Sequence, residues 1–503
     1  MKLATSLVAC IAALAPCQVL ATRNWLSGNC PRSLSGLDQL GRHLSRSAKI
    51  YFPGSEEFAK ASQRWSVLES PKVDVVVVPG TEKDVAEAVK FANKAKLPFL
   101  AFNTAHGAIT TLGKMDHGVE IYLEQLSSVE IAKNGRTAKI GGGTMSKVVT
   151  DSLWEKGKQT VTGTCECVSF LGPALGGGHG WLQGHHGLIA DQLVSVNIVL
   201  ADGSQKTIDQ RSDLWWAIRG AGHNFGIVTS ATVKIYDVEH ANWAVETLIF
   251  SGDKVEEVYQ AVNGHLTKDG NQSVDVINWS YWLNNPDIDA EKPVILFWII
   301  QEGVSVVDPL YTKPFYDIGP LVAEPTSGTY LDLAEWTGIS LSSAPCQKSG
   351  LSNPRFPLYV RSYNVTAQKQ AYDLFASAVT ADSPFYHSLY LFEGYSMQAV
   401  RAVDERSTAF AFRDDNLLTA PLITYTPGDS ELDTAAARLG NQLRDILHAG
   451  SGQDEMRVYV NYAYGNESPE QWYGSERWRQ SRLRELKRKY DPKGRFSFYA
   501  PVA

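Results

Sequence analysis

Thiols, imidazoles and an unusual density of glycine fall together between residues 163 and 191. The stretch contains Gly163-Thr164-Cys165-Glu166-Cys167-Val168, then Gly176-Gly177-Gly178-His179-Gly180, then Gly187-Leu188-Ile189-Ala190-Asp191. Glycine at this density beside apolar residues means backbone at positive φ or in close approach to another group. The oriented N–H groups of such a loop can cradle phosphates, which points to a phosphate-bearing cofactor. The same stretch offers Cys165 and Cys167 with His179, His185 and His186, soft and imidazole donors able to hold zinc or copper. Against a metal, Cys-x-Cys is a short spacing for a structural zinc site, and the glycines would serve no purpose there. The block is not a Rossmann fingerprint, because no Gly-x-Gly-x-x-Gly follows a strand and opens a helix.

The elements that must position this block alternate between strand and helix. Val73 to Val78 is a β-branched run closed by Pro79-Gly80, which predicts a buried strand. Thr81 and Asp84 stand at capping-box spacing before an apolar helical pattern through Ala95. Further strands are expected at Leu97 to Phe102, Val119 to Leu123, Lys139 to Ile140, Leu193 to Leu200, Gln205 to Ile208 and Gly226 to Ile235. Helices are expected at Ser146 to Lys156 and Asp213 to Arg219. Beyond Val238 long alternating stretches, Trp243 to Phe250, Val274 to Trp282 and Val294 to Ile300, predict a broad antiparallel sheet. Helices near Lys254 to Leu266 and Ala367 to Val379 would back one face of it. The end, Arg457 to Val502, reads as strand, helix (Ser475 to Tyr490) and short strand. The fold class is therefore α+β with at least two cores, as 503 residues require.

Asp and Glu number 54 against 47 Lys and Arg, a formal charge of -7, which disfavours nucleic acid as the main partner. Aromatic residues are plentiful, suited either to a flat organic ligand or to ordinary cores. Met1-Lys2 precedes an apolar run to Leu20 that ends in the small-residue pattern Val19-Leu20-Ala21, a secretory leader over residues 1–21. The run is short and interrupted for a membrane span, so a secreted chain with no membrane anchor is expected. Cys10 and Cys17 would leave with the leader. Among Cys30, Cys165, Cys167 and Cys346, the pair Cys30 and Cys346 is the natural disulfide candidate, although spacing leaves the connectivity open. Sequons at Asn271, Asn278, Asn364 and Asn466 fit secretion.

Several motifs occur in one order: the strand–helix opening, His106 after Phe102-Asn103-Thr104-Ala105, the Gly163 to Asp191 block, and Asp213-Leu214-Trp215-Trp216-Ala217-Ile218-Arg219-Gly220 through Asn224-Phe225-Gly226-Ile227-Val228. Tyr459-Val460-Asn461-Tyr462 and Tyr490-Asp491-Pro492 follow near the C-terminus. On these motifs, Pro79 to Glu239 resembles the FAD-binding domain of the vanillyl-alcohol oxidase and p-cresol methylhydroxylase superfamily. The whole chain is similar to fungal berberine bridge enzyme-like oxidoreductases. The resemblance implies an FAD-binding domain at 22–240 (core about 68–239), a substrate domain at 241–450 and a segment, 451–503, that returns to the FAD domain. It implies FAD attached twice, through His106 to the flavin 8α-methyl and through Cys165 to C6, with Cys167 as the rival thiol. Gly163, Gly176, Gly177, His179, Gly180, Leu188, Asn224, Gly226, Val228 and Asn461 would line the cofactor. The loop before His106 departs from the family's Arg-Ser-Gly-Gly and so lacks a cation and two glycines near the pyrophosphate.

Tyr459 and Tyr462 are the candidate bases, since the C-terminal motif runs beside the flavin in this family and a nearby cation can lower a tyrosine's pKa. The family's usual acid or amide is absent, because Pro421 stands at its place in Leu417 to Leu422. The expected activity is an oxidase that removes hydride from a small organic alcohol or specialised metabolite, or from a carbohydrate. O₂ is the expected acceptor and H₂O₂ the product, because Val168 stands at the position the family associates with oxygen access. A flavin-retaining non-redox cyclase is the alternative that the missing base motivates. A secreted metal-binding protein is the third.

Overall fold

The computed structural model describes residues 37–502; the leader, Cys10, Cys17 and Cys30 lie outside them. Three main sheets organise the chain. In the first, Lys49–Tyr51, Val73–Val78, Gly118–Tyr122 and Phe99–Phe102 lie in that order, the last three parallel. Val75 to Val78 are fully buried, as the β-branched run demands. The helix Glu82–Ala95, opened by the expected capping box between Thr81 and Asp84, covers Val75 and Val77, while Val76 and Val78 pack with Ala61 on the other face.

The second sheet is antiparallel, in the order Val129–Ile131, Thr137–Gly141, Ile227–Lys234, Leu193–Val199, Gln205–Ile208. The Gly163 to Asp191 block leads directly into its strand Leu193–Val199. The expected helices form as Ser146–Trp154 and Leu214–Ala221, the latter kinked at Arg219 and Gly220.

The third sheet has seven antiparallel strands, in the order Val322–Thr329, Asn242–Phe250, Asp289–Glu302, Val276–Asn285, Leu389–Gly394, Leu417–Leu422, Leu358–Val360. Alternation sorts its residues between two cores. Leu248, Val276, Trp282, Tyr390 and Phe392 pack toward the helices Val255–Ala261, Val365–Ala378 and Ser430–Gly450. Val245, Trp279, Tyr281, Tyr359 and Leu391 point the other way, into the core shared with the first 235 residues.

The C-terminal segment corrects one expectation, because no strand forms there among the described residues. The Arg457 carbonyl accepts from Tyr359 N–H at 2.9 Å and Val458 N–H donates to Gln471 at 3.0 Å, so its backbone groups go to different segments and build no ladder. The segment instead forms a 3₁₀ turn at Val460–Tyr462 and helices Pro469–Tyr473 and Arg477–Tyr490. It returns to the second sheet, where the Asn224 side chain donates to Tyr473 and Ala500 and accepts from Val502 N–H.

Two sequence expectations about modification change. Cys346 is bonded to Cys167, 179 residues away, and not to Cys30. Asn278 lies inside a central strand, is 2% exposed and donates to Gln272, so this sequon offers no room for a glycan; Asn271, Asn364 and Asn466 are exposed.

The first 240 residues and the large sheet's loops are locked by a buried ion pair. Arg413 donates to both Asp191 oxygens, at 3.0 and 2.9 Å, with both side chains almost wholly buried. Removing one partner strands the other charge. Arg413→Ala is therefore expected to destabilise the protein by about 3–5 kcal/mol, read as a lower urea midpoint; a change within about 0.5 kcal/mol, as at an ordinary surface site, would refute the lock.

Candidate functional site

A cavity of about 260 Å³ lies where the first sheet, the Gly163 to Ser169 loop, the C-terminal segment and the inner face of the large sheet meet. His106, Gly163, Cys165, His179, Tyr459, Asn461 and Tyr462, all singled out from the sequence, line it. The ligand atoms of His106, Cys165 and Cys167 lie within 4.8 Å of one another. His106 stacks on Trp65 at 4.5 Å, and its Nε2 lies 2.9 Å from the Pro345 carbonyl oxygen, which leaves Nδ1 as the ring nitrogen with a lone pair. Burial, with the Arg355 charge second, lowers the His106 pKa to about 3, so the imidazole is neutral. Burial raises the Cys165 thiol to about 11.

Tyr459 and Tyr462 divide. The Tyr459 hydroxyl accepts from His179 N–H at 3.2 Å and from Asn461 Nδ2 at 2.8 Å, which ties the glycine loop to the C-terminal segment. Tyr462 donates to Glu393 Oε1 at 3.1 Å, and Tyr395 donates to Glu393 Oε2 at 3.0 Å. Glu393 is a carboxylate the sequence reading missed. Burial raises its pKa to about 7, against the two phenol donors and Arg355. Arg355 lies 4.5 Å above Trp65 and 4.6 Å above Tyr462, and no carboxylate stands within ion-pair distance of it among the described residues. A carboxylate does stand on the strand next to Pro421, where Glu393 pairs with Leu418 and Tyr390 with Pro421. A lone acid in Leu389-Tyr390-Leu391-Phe392-Glu393-Gly394, on the parity of Leu389 and Leu391, is the signal that could have found it.

The other cofactor-lining candidates lie off this cavity wall, and their partners are protein. A Cβ on Gly176 would overlap the Asn461 side chain, and one on Gly180 would overlap the Thr162 carbonyl. Gly177 has φ +101° and packs under Phe410. A Cβ on Gly226 would press on Ile198. Leu188 is capped by Asp191 and Gln192, Val228 pairs with Ile198 in the second sheet, and Asn224 is spent on the C-terminus. The glycines are thus needed for close chain packing. The metal alternative also loses its donors: Cys167 is in the disulfide, His179 bonds Gln183 and Tyr359, His185 pairs with Glu302 at 3.1 Å, and His186 stacks on Tyr236.

Several wall atoms await a partner. Asn103 Nδ2, His223 Nδ1 and Arg355 Nε are buried with no hydrogen bond, and all three residues line the cavity. Orphaned donors and an acceptor in an aromatic-lined cavity fit a large polar cofactor and are costly without one. The loop Phe102-Asn103-Thr104-Ala105 keeps its shape without the two glycines, with Ala105 held at φ +55° at a cost of about 1 kcal/mol. Arg64 also stands on the wall, paired with Glu120 at 2.8 Å.

Residues 73–209 match the family model described as FAD binding domain, and residues 458–503 match the one described as berberine and berberine like. FAD-linked oxidoreductase chyH of Penicillium rubens is 60% identical over 96% of this chain and 99% of its own length. This chain belongs to the berberine bridge enzyme-like FAD-linked oxidoreductases. Its fold matches Physcomitrella patens BBE-like 1 with a TM-score of 0.78 at 21% identity, covering 93% of this chain and 99% of that one. It also matches glucooligosaccharide oxidase from Acremonium strictum, a structure described with 6-S-cysteinyl, 8α-N1-histidyl FAD, with a TM-score of 0.76 at 18% identity over 92% and 98% of the two chains. The enzyme therefore binds FAD, and the α+β architecture is that of the vanillyl-alcohol oxidase type.

Because Gly180 lacks a Cβ for the sake of the Thr162 backbone, Gly180→Ala is expected to lower stability by about 1–3 kcal/mol, measured by chemical unfolding of protein stripped of FAD in a His106→Ala/Cys165→Ala background. A loss of FAD affinity with unchanged stability would instead return the glycine to the cofactor.

Proposed function

We propose that this enzyme is a secreted oxidase carrying FAD attached through His106 and Cys165, which removes hydride from a hydroxyl-bearing small molecule and passes the electrons to O₂, releasing H₂O₂. One observation carries the reading: a neutral histidine, a free cysteine and a tyrosine–carboxylate pair line one cavity whose wall has unsatisfied polar atoms. The bonded state described for the Acremonium strictum relative supports the same pair of attachments here. The Cys167–Cys346 bond and the exposed sequons at Asn271, Asn364 and Asn466 support passage through an oxidising, secretory compartment. No helix among the described residues is long and apolar enough to cross a membrane.

FAD supplies the hydride acceptor. The chain supplies the proton path. Tyr462 takes the substrate hydroxyl proton as its own proton passes to Glu393 Oε1, while Tyr395 holds the second oxygen. Burial keeps the Tyr462 pKa far above the usual value, with Arg355 opposing, so the carboxylate is the base and the phenol the relay. This changes the expectation of a tyrosinate base, and it removes the motive for a non-redox cyclase. Trp279, Tyr281 and Tyr395 give the cavity flat apolar walls suited to a ring-bearing substrate. Val168, also on the wall, stands at the position this family associates with oxygen access.

Two results are expected. Acid-precipitated enzyme retains yellow colour; each of His106→Ala and Cys165→Ala still retains it and the double variant loses it, whereas a colourless wild-type pellet would refute the attachments. Since Glu393 must be ionised, kcat should rise with pH through about 7. Glu393→Gln should lower kcat by about 10²–10⁴-fold and abolish that rise; an unaltered profile would remove Glu393 from the proton path. During turnover H₂O₂ should form in proportion to product, and reoxidation by a quinone but not by air would make the enzyme a dehydrogenase.

A further inference from the structure

The segment from Ile339 to Lys348 crosses over the cavity and is pinned along its length. The Ile339 carbonyl accepts from Glu166 N–H at 3.2 Å, Leu341 N–H donates to Glu166 Oε2 at 2.8 Å, and Lys348 Nζ donates to the Gln63 carbonyl at 3.0 Å. Its only covalent anchor among the described residues is Cys346, bonded to Cys167. The residue beside that anchor, Pro345, offers the carbonyl that meets His106 Nε2. The free Cys165 Sγ lies 3.6 Å from Cys167 Sγ and 3.7 Å from Cys346 Sγ. One disulfide therefore touches the surroundings of both side chains that would bond the cofactor.

We propose that the Cys167–Cys346 disulfide is a positioning clamp that sets the regiochemistry of FAD attachment. This rests on the reading that FAD is bonded to His106 and Cys165. By seating the Pro345 carbonyl on Nε2–H, the clamp fixes the tautomer in which Nδ1 carries the lone pair, the atom that must reach the flavin methyl. By consuming Cys167, it leaves one thiol where two would otherwise compete within 3.6 Å of each other.

The two attachments balance with dioxygen as oxidant. At the methyl, His–N–H and flavin–CH₃ become a His–N–CH₂–flavin bond, and the two hydrogens with their electrons pass to O₂ as H₂O₂. At C6, Cys–S–H and C–H become C–S in the same way. The disulfide is unchanged throughout; it acts only through geometry, so Cys167, Pro345 and Cys346 are positioning residues and not catalytic ones.

The test is the residue that bears flavin in wild type, Cys346→Ser and Cys167→Ser/Cys346→Ser, followed over time by fragmentation mass spectrometry of tryptic peptides, since Cys165 and Cys167 share one, against total FAD per chain. Wild type should carry flavin on the His106 and Cys165 peptides. The double variant should bind as much FAD in total, with the histidyl bond formed roughly tenfold more slowly, the scale on which a hydrogen-bonded partner tunes a functional imidazole. Cys346→Ser, with Cys167 freed, should place part of the thioether on Cys167. Full-speed histidyl attachment in the double variant, with Cys165 the sole thioether in Cys346→Ser, would overturn the clamp. Should the double variant not accumulate, flavin-free wild type from a riboflavin-starved host is reduced with a phosphine and given FAD. Slower histidyl attachment than in the unreduced sample supports the clamp, and an equal rate overturns it. A wild type without flavin on His106 would sink the attachment reading itself, a result separate from any of these.

Discussion

A carboxylate and a guanidinium, both taken almost wholly out of water, hold the two halves of the molecule in register. Asp191 ends the glycine-rich block, caps Leu188 N–H and receives both terminal nitrogens of Arg413, which comes from the loop before the strand Leu417–Leu422. Such a pair is expensive to bury and is stable only while complete. Its geometry consequently fixes where the block lies relative to the sheet. From that placement follow the approach of His179 to Tyr359 and Tyr459, the packing of Phe410 against Gly177, and the position of the cavity between them.

The large sheet then does two jobs through one periodicity. Because successive side chains alternate, the same strands that give Trp282, Tyr390 and Phe392 to a helical layer give Trp279, Tyr281, Leu391 and Glu393 to the cavity. The helix-side phenols Tyr259 and Tyr390 bond Ser280 and the Leu443 carbonyl, whereas Glu393 faces inward. On the inner side Tyr395 and Tyr462 both donate to it, so a carboxylate in the middle of a sheet is tolerated because its lone pairs are used. The C-terminal segment is what brings Tyr462 there, and Asn224 and Lys487 are the polar anchors that hold that segment against the second sheet.

What could be read from the sequence was what local chemistry decides. The strand Val73–Val78, the Thr81–Asp84 cap and the alternating stretches of the large sheet need only neighbours along the chain. That His106 and Cys165 share one cavity was legible from their motifs. The Cys167–Cys346 bond was not, since 179 residues separate its ends and spacing carries no pairing information. Glu393 was not legible for a subtler reason: the strand Leu417–Leu422 holds no acid, and this one sits across the register on its neighbour. The glycines of the block are ambiguous because a ligand and a neighbouring backbone impose the same demand for a missing Cβ, and at Gly180 the Thr162 carbonyl already imposes it.

Arg355 makes the charges of the site mutually consistent. A guanidinium held between two ring faces keeps its charge without a carboxylate contact. From there it opposes protonation of His106 and favours ionisation of Glu393. Desolvation alone would push both groups toward neutrality, which suits the histidine as a nucleophile and spoils the glutamate as a base. The cation corrects only the second, because its field adds to desolvation at an imidazole and subtracts from it at a carboxylate. A neutral residue at 355 would leave His106 competent and weaken Glu393. Attachment and turnover as proposed would place different demands on the same cavity, and one charge position would satisfy both.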